Sequence, residues 1–320
     1  MDKSKSVIFG ATIIGISAIL WGFDGIALTP RLYNLDVTFV VFILHLIPFL
    51  LMNLFLYKKY SLLKTLDKSE LISLIFIAMF GGVIGTMAIV KALFLVNFHS
   101  LSIVVLLQKL QPIFAIFLAV TFLKERLRKR YIFWAAVALV SGYFLTFGFE
   151  TPVFDLSNNT FQASLFAILA AFSFGSSTVF GKKVMNKLDF ASTTFFRYGF
   201  TAFIMFFVVA ANSSFNGFAE ATSQNWIVIM LIALTTGSGS MMLYYYGLKR
   251  VKAIIATIME QFFPISAVFF DYIINGSILL PVQIVSAVIM IFAIINLNTD
   301  NVRAISKLKI RIMKSKKKHV

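Results

Sequence analysis

The sequence predicts an all-α integral membrane fold: ten transmembrane helices arranged as two inverted five-helix repeats, with both termini on the cytoplasmic side. Three observations predict it. Hydrophobic residues make up 59% of the 320-residue chain, charged residues only 13%, and mean hydropathy is +0.90, values of a polytopic membrane protein rather than a soluble domain. The apolar residues gather in ten runs, each about long enough to cross ~30 Å of hydrocarbon at ~1.5 Å per residue. Landmarks recur at a near-constant offset: Gly22 and Gly175 stand 153 apart, as do Leu35-Asp36 and Leu188-Asp189, and Pro112 and Pro264 stand 152 apart.

In chain order the runs are Val7 to Leu28, Val37 to Tyr57, Leu71 to Leu93, Leu101 to Leu123, Tyr131 to Phe149, Phe161 to Phe180, Phe190 to Ala211, Trp226 to Leu248, Ala253 to Asn275 and Val282 to Leu297. In lipid the backbone must bond to itself, and these runs are too long and too evenly apolar for barrel strands, so each reads as a helix. Lys3 and Lys5 ahead of the first run resemble a signal-peptide start, but the run exceeds the usual apolar length and has no small-x-small cleavage site, so it is expected to stay as an anchor.

Of the 29 lysines and arginines, 25 fall at the N-terminus, in the alternate connections and in the tail from Arg303, all on one side of the spans. The positive-inside rule makes that side cytoplasmic and the number of spans even. The net charge of +16 is therefore a topology signal and not a nucleic-acid footprint. The run Lys314 to Lys318 reads as a solvated end that attracts anionic headgroups. Residues 1–150 form the first five-helix repeat, 160–298 the second and 299–320 the basic tail. An odd number of spans per repeat makes the second copy enter the membrane from the opposite side, an arrangement that places substrate near the midplane between the halves.

Polar residues inside the runs are the candidate site. Gln108-Lys109-Leu110-Gln111-Pro112 interrupts the fourth run and Glu260-Gln261-Phe262-Phe263-Pro264 the ninth. Aligning the prolines sets Gln108 opposite Glu260 and Lys109 opposite Gln261. A charge at the bilayer centre costs about 2.5–3.5 kcal/mol on insertion scales, so it needs a reason. Two stand open: Lys109 and Glu260 are a buried ion pair fixing the halves, or they face a central cavity and bind a charged group or a coupling proton. Arg197 in the seventh run could clamp an anionic group or snorkel toward the inner face. His45 in the second run could relay protons or pack through a hydrogen bond. Trp21 and Asp24 share a face of the first helix, where Asp24 could line an outer vestibule or cap. Of Tyr244-Tyr245-Tyr246 at least one ring points inward, to enclose a planar or cationic solute, unless the run belongs to an interfacial belt. Glycine and serine clusters at Gly81, Gly82 and Gly85, at Ser173 to Ser177 and at Gly237 to Ser240 mark close helix approach or room for a cavity.

Enzyme signatures are excluded. Gly175 to Lys183 misses the phosphate-loop spacing, and with three histidines, no His-x-x-x-His pair and no cysteine there is no metal site, disulfide or thiol nucleophile to build.

These residues resemble the drug/metabolite transporter superfamily, and within it the ten-helix EamA-type permeases. The likeness spans almost the whole chain: Trp21-Gly22 early in the first repeat, and a proline in the fourth span followed by Leu123-Lys124-Glu125-Arg126-Leu127, similar to the family's Gly-Glu-x-Leu ending with Lys124 in place of glycine. The second-half counterpart, Asn275-Gly276-Ser277-Ile278, lacks the glutamate, and Gln111 and Phe263 stand where the family often has Glu before the proline. The resemblance implies a secondary-active or facilitative transporter in the cell membrane, not an enzyme, without a cofactor, moving a small organic metabolite such as an amino acid by alternating access. Protons are the candidate coupling ion, the assembly a monomer or homodimer, and helices one, three, four, six, eight and nine the walls of the site. The alternatives from other classes are an integral-membrane lipid-modifying enzyme and a non-transporting receptor or assembly protein.

Overall fold

Every regular element among the described residues is helical. The structure is a computed structural model, and it describes residues 3–96, 104, 107–108, 110–125, 129–149, 158–276, 280–293 and 296. Seven helices are long and apolar enough to cross a membrane: α1 (Lys5–Leu32), α2 (Val37–Thr65), α3 (Lys68–Leu95), α6 (Phe161–Val184), α7 (Phe190–Ala211), α8 (Ser223–Leu248) and α9 (Ala253–Asn275). Three shorter apolar helices accompany them: α4 (Gln111–Leu123), α5 (Ile132–Phe144) and α10 (Pro281–Ala293). Large apolar side chains such as Phe55, Phe117, Phe203 and Val288 cover the outside, as a lipid-facing surface requires.

Helix starts follow from local chemistry. Asp36 precedes α2 and accepts the N–H of Thr38 and Phe39 at 2.9 and 3.2 Å. Asp189 precedes α7 and accepts the N–H of Ser192 at 2.7 Å, while its second oxygen takes Lys59 Nζ at 3.0 Å. Each carboxylate satisfies N–H groups that the helix itself leaves unpaired. Burial pushes both carboxyls up, but hydrogen bonds outweigh it and hold them below the usual carboxylate range, from the Thr38 and Ser214 hydroxyls and then the backbone for Asp36, and from the Ser192 N–H and Lys59 for Asp189. Capping boxes open α3, through Asp67 and Glu70, and α8, through Thr222 and Asn225.

Helix ends are equally local. The chain leaves α4 through Lys124 at φ +53° and α9 through Gly276 at φ +70°, with the cap N–H bonded to Ala119 and Asp271 respectively. The helices are not uniform inside. Wider π turns interrupt α1 at Asp24–Leu28, α3 at Ile77–Ile84 and α8 at Ala233–Gly237. Pro264 lies within the ninth run, and α9 breaks between Met259 and Phe262. Pro264 has no N–H to offer the Glu260 carbonyl, so Phe263 N–H takes that oxygen at 3.0 Å and Gln261 N–H turns back to Ile258.

Two close crossings hold the centre. A Cβ on Gly22 of α1 would stand 2.9 Å from Phe263 O and Ala267 N of α9, and one on Gly175 of α6 would stand 3.0 Å from Gln111 O and Ala115 N of α4. One end of the bundle is rich in lysine: Lys182 Nζ donates to Leu248 O at 2.8 Å, Lys183 Nζ to Ser69 Oγ at 2.6 Å and Lys249 Nζ to Leu188 O at 3.2 Å. At the opposite end Asn225 donates to Arg31 O and Asn34 Oδ1, and the Phe39 ring meets Phe218 edge-on.

Candidate functional site

A cavity of about 270 Å³ lies between the helices, bordered by the break in α9. Its polar floor gathers Gln111 at the start of α4, Ser177 and Thr178 of α6, Arg197 and Tyr198 of α7, Tyr244 of α8 and Glu260 and Gln261 of α9. Trp21, Phe174, Phe263 and Pro264 form its waist. Toward the end that carries Arg31 the wall turns aliphatic, with Val40, Leu44, Ile89, Val90, Leu93 and Ile232, interrupted by Asp24, Thr29 and Thr86.

Glu260 is held from three directions. Its Oε1 accepts the Tyr244 hydroxyl at 2.8 Å and the Thr178 hydroxyl at 3.3 Å, and its Oε2 accepts Gln111 Nε2. The Thr178 hydroxyl has one proton, shared among Glu260, the Tyr244 hydroxyl oxygen at 2.8 Å and Phe174 O at 3.2 Å. The break in α9 makes this possible, because it turns the Glu260 side chain off the regular helical path and toward α4. Gln111 and Glu260 lie 149 residues apart, so the contact ties the first half of the chain to the second.

Arg197 is 5% exposed, and among the described residues it forms no ion pair. Its guanidinium donates instead to neutral partners: Gly81 O at 2.7 Å, Tyr245 Oη at 3.1 Å and Met241 Sδ at 3.3 Å. The Gly81 carbonyl belongs to the wide turn of α3, and a Cβ there would collide with Ser177 and with Arg197 Nη2. The Nε–H of Arg197 is buried without an acceptor. A buried cation without a paired anion is costly, and a partner from the cavity would lower that cost.

The other expected residues sort clearly. Trp21 lines the cavity and its ring meets Tyr244 at 5.4 Å, tilted by 50°. Asp24 lines it too and accepts Thr29 Oγ1 at 3.2 Å. His45 faces it, bonded through Nδ1 to Val41 O at 2.8 Å and packed on Tyr198 at 4.9 Å. Gln108 and Gln261 are on the wall, and Gln261 Oε1 has no hydrogen-bond partner. Tyr245 corrects the sequence reading: it is fully buried behind the wall, where it supports Arg197 rather than meeting a solute. The expected set of six helices is also too small, since α2 and α7 contribute His45 and Arg197. Lys109 lies outside the described residues. Among the described residues no three His, Cys, Asp or Glu side chains come together to hold a metal ion.

Thr178, Thr236 and Phe174 are wall residues that the sequence reading passed over. A hydroxyl in an apolar helix can always bond the preceding turn, as Thr178 also does to Phe174 O at 3.2 Å, so its composition gives no warning. The one available signal was the polar stripe that Ser173, Ser177 and Thr178 complete on α6.

The model of the EamA-like transporter family matches the chain twice, over residues 8–148 and 162–299. The riboflavin transporter ImpX of Fusobacterium nucleatum subsp. nucleatum (strain ATCC 23726 / VPI 4351) is 53% identical over 293 residues, covering 91% of this chain and 98% of that one. A protein of known crystal structure superposes with a TM-score of 0.64 at 15% identity, over 92% of this chain and 98% of that one, a likeness of fold alone. On the family match over both halves and the close relative along nearly its full length, this chain belongs to the EamA-like transporter family and is a membrane transporter of a small metabolite.

Proposed function

We propose that the chain carries a flavin, riboflavin first, across the cell membrane by alternating access, with the cavity around Glu260 and Arg197 as its binding site. The observation that carries this is the 53% identity to a riboflavin transporter over 91% of the chain. The cavity suits such a solute. Its waist has the flat rings of Trp21, Phe174 and Phe263, and its floor has hydrogen-bonding groups rather than a second lysine or arginine among the described residues. The amino acid of the sequence reading gives way to a flavin on the strength of that relative.

In this reading the halves are inverted five-helix repeats and both termini are cytoplasmic. Support comes from the separate family match to each half and from Gly22 and Gly175, which approach α9 and α4 at positions 152 residues apart. In the same reading Glu260 is the group that couples a proton, because it is an acid on the cavity wall that joins the two halves.

Purified protein in riboflavin-free liposomes tests both parts. Uptake of added riboflavin should saturate and exceed that of empty liposomes, and amino acids should not compete. No uptake above empty liposomes in either direction of gradient sinks the flavin reading. Glu260→Gln should lower uptake and flatten its dependence on pH; an unaltered rate and profile would remove the coupling role and leave transport standing.

A further inference from the structure

The cavity is polarised along its length, and a flavin is polarised along its ring. Arg197 and Gln261 line the floor, and each carries a buried polar atom without a partner, the Nε–H of the first and the Oε1 of the second, which a small rotation of the side chain would bring to a bound solute. Beside them Gln111 and Glu260 add one more amide and a carboxylate with acceptor capacity left: two oxygens offer about four lone-pair sites, and three donors occupy them. At the other end the wall is the aliphatic collar of Val40, Leu44, Ile89, Val90, Leu93 and Ile232. A flavin ring has a dione end, where an imide N–H stands between two carbonyls that each adjoin a ring nitrogen, and a dimethylbenzene end with no polar atom.

We infer that the ring binds with its dione end down on Arg197 and Gln261 and its dimethylbenzene end up in the aliphatic collar, which makes Arg197 the residue that selects for the dione. This rests on the flavin reading above. Three N–H of the guanidinium are spent on Gly81 O, Tyr245 Oη and Met241 Sδ. The side of the guanidinium that includes Nε–H is the edge that Arg uses for bidentate contacts. A carbonyl oxygen next to a ring nitrogen is an acceptor pair of the kind that Arg reads in guanine. Gln261 Oε1 is then the acceptor for the imide N–H. Reversing the ring would press the carbonyls into the collar and leave the floor unpaired, losing hydrogen bonds at both ends. Charge is not the selector in this arrangement, because the guanidinium meets neutral oxygens here as it already does at Gly81.

Binding to the purified wild-type chain decides it, read from the quenching of protein tryptophan fluorescence, since Trp21 lines the cavity, with three ligands: riboflavin, riboflavin methylated on the imide nitrogen, and an analogue carrying a dimethylamino group in place of the methyl at position 8. Imide methylation removes the donor to Gln261 and crowds the floor, so its Kd should rise at least about tenfold, while the 8-substituted analogue should stay within about threefold of riboflavin. The opposite order, or equal affinity for all three, overturns the orientation while leaving the flavin reading intact. If riboflavin itself does not bind, it is the flavin reading that falls. Arg197→Lys keeps the charge and loses the flat edge, and should weaken riboflavin at least about tenfold; unchanged affinity overturns the selector role. Should that variant not purify in one folded form, the ligand series decides alone.

Discussion

Lys124 and Gly276 do the same task with unequal means. Each follows the last turn of a helix in the left-handed region, at φ +53° and +70°, and each turns its N–H back to a carbonyl five residues earlier, Ala119 and Asp271. Glycine enters that region freely, whereas a side chain with a Cβ is strained there by about 1–2 kcal/mol, part of which glycine gives back through its greater freedom when unfolded. Lys124→Gly should therefore stabilise the protein by about 0.5–1 kcal/mol, seen as a higher midpoint in thermal unfolding in detergent with riboflavin uptake unaltered. A lower midpoint would mean that the lysine side chain itself contributes more than its backbone costs. At this scale four residues out of keeping with lipid stand out in the sequence. Glu260, Arg197, His45 and Asp24 each interrupt an apolar run, and all four line the cavity. Tyr245 was misread because three consecutive tyrosines give no phase: the helix sends Tyr244 to the cavity and Tyr245 to the packed core, and only the neighbouring helices decide which is which. The hydroxyls of Thr178 and Thr236 were illegible because a threonine is unremarkable in a membrane helix.

Elements were legible as runs and obscure within them. Apolar runs alone placed the helices in the sequence, and the structure adds Asp36, Asp67, Asp189 and Thr222 as the caps of four of them. The π turns of α1, α3 and α8 carry no mark, since in a run that is apolar all round there is no periodic stripe whose slip would show an extra residue. The break in α9 was half legible: Pro264 announces a lost hydrogen bond, but only the packing shows that the freed turn delivers Glu260 to Gln111. Gly22 and Gly175 were conspicuous by their spacing, and the structure supplies the reason, a helix backbone lying against each. A prediction follows for the pair of crossings. Gly22→Ala sets a methyl 2.9 Å from Phe263 O, with Ser266 Oγ closer still, and Gly175→Ala sets one 3.0 Å from Gln111 O. Backbone cannot step aside as a side-chain tip can, so each substitution should cost about 1–3 kcal/mol and depress the melting midpoint. Gly22→Ala should do more harm, because it meets two α9 backbone atoms at 2.9 Å as well as Ser266. Because the crossings flank the break in α9 and the start of α4, both variants should also weaken riboflavin binding; intact binding would uncouple these crossings from the site.

For the whole molecule, the decisive feature is that the two ends of the bundle are closed by different amounts of bonding. The cavity runs from Glu260 and Arg197 toward the end that carries Arg31, reaching Thr29, Val40 and Leu93. On the other side of the floor, toward the lysine-rich end, Ala256, Thr257 and Ile258 are packed solid. That end is strapped by contacts between the halves: Lys59 with Asp189, Lys183 with Ser69, and above all Glu125, whose carboxylate accepts the N–H of Ala253 at 3.0 Å and Ile254 at 3.2 Å. The Glu125 contact is the strongest of the three. The Lys59 pair is exposed, and such pairs contribute about 0–1 kcal/mol, whereas hydrogen bonds to a charged group contribute about 1.5–3 kcal/mol, here with the positive end of a helix behind them. On the alternating-access reading, the lysine-rich end must open for the cycle to complete, and release of Glu125 from the start of α9 is expected to open it. The chain has no cysteine, so a single one can be placed without background. A cysteine at Leu93, on the collar, should react readily with a water-soluble maleimide, and one in place of the fully buried Thr257 should react slowly. Adding Glu125→Ala should speed the reaction at position 257 about tenfold or more and slow that at position 93, since a change of about 1.4 kcal/mol in the balance of two states is a factor of ten. Equal rates at position 257 with and without the carboxylate would show that this strap does not govern the opening, and the packed layer of Ala256 and Ile258 would then be what holds that end shut.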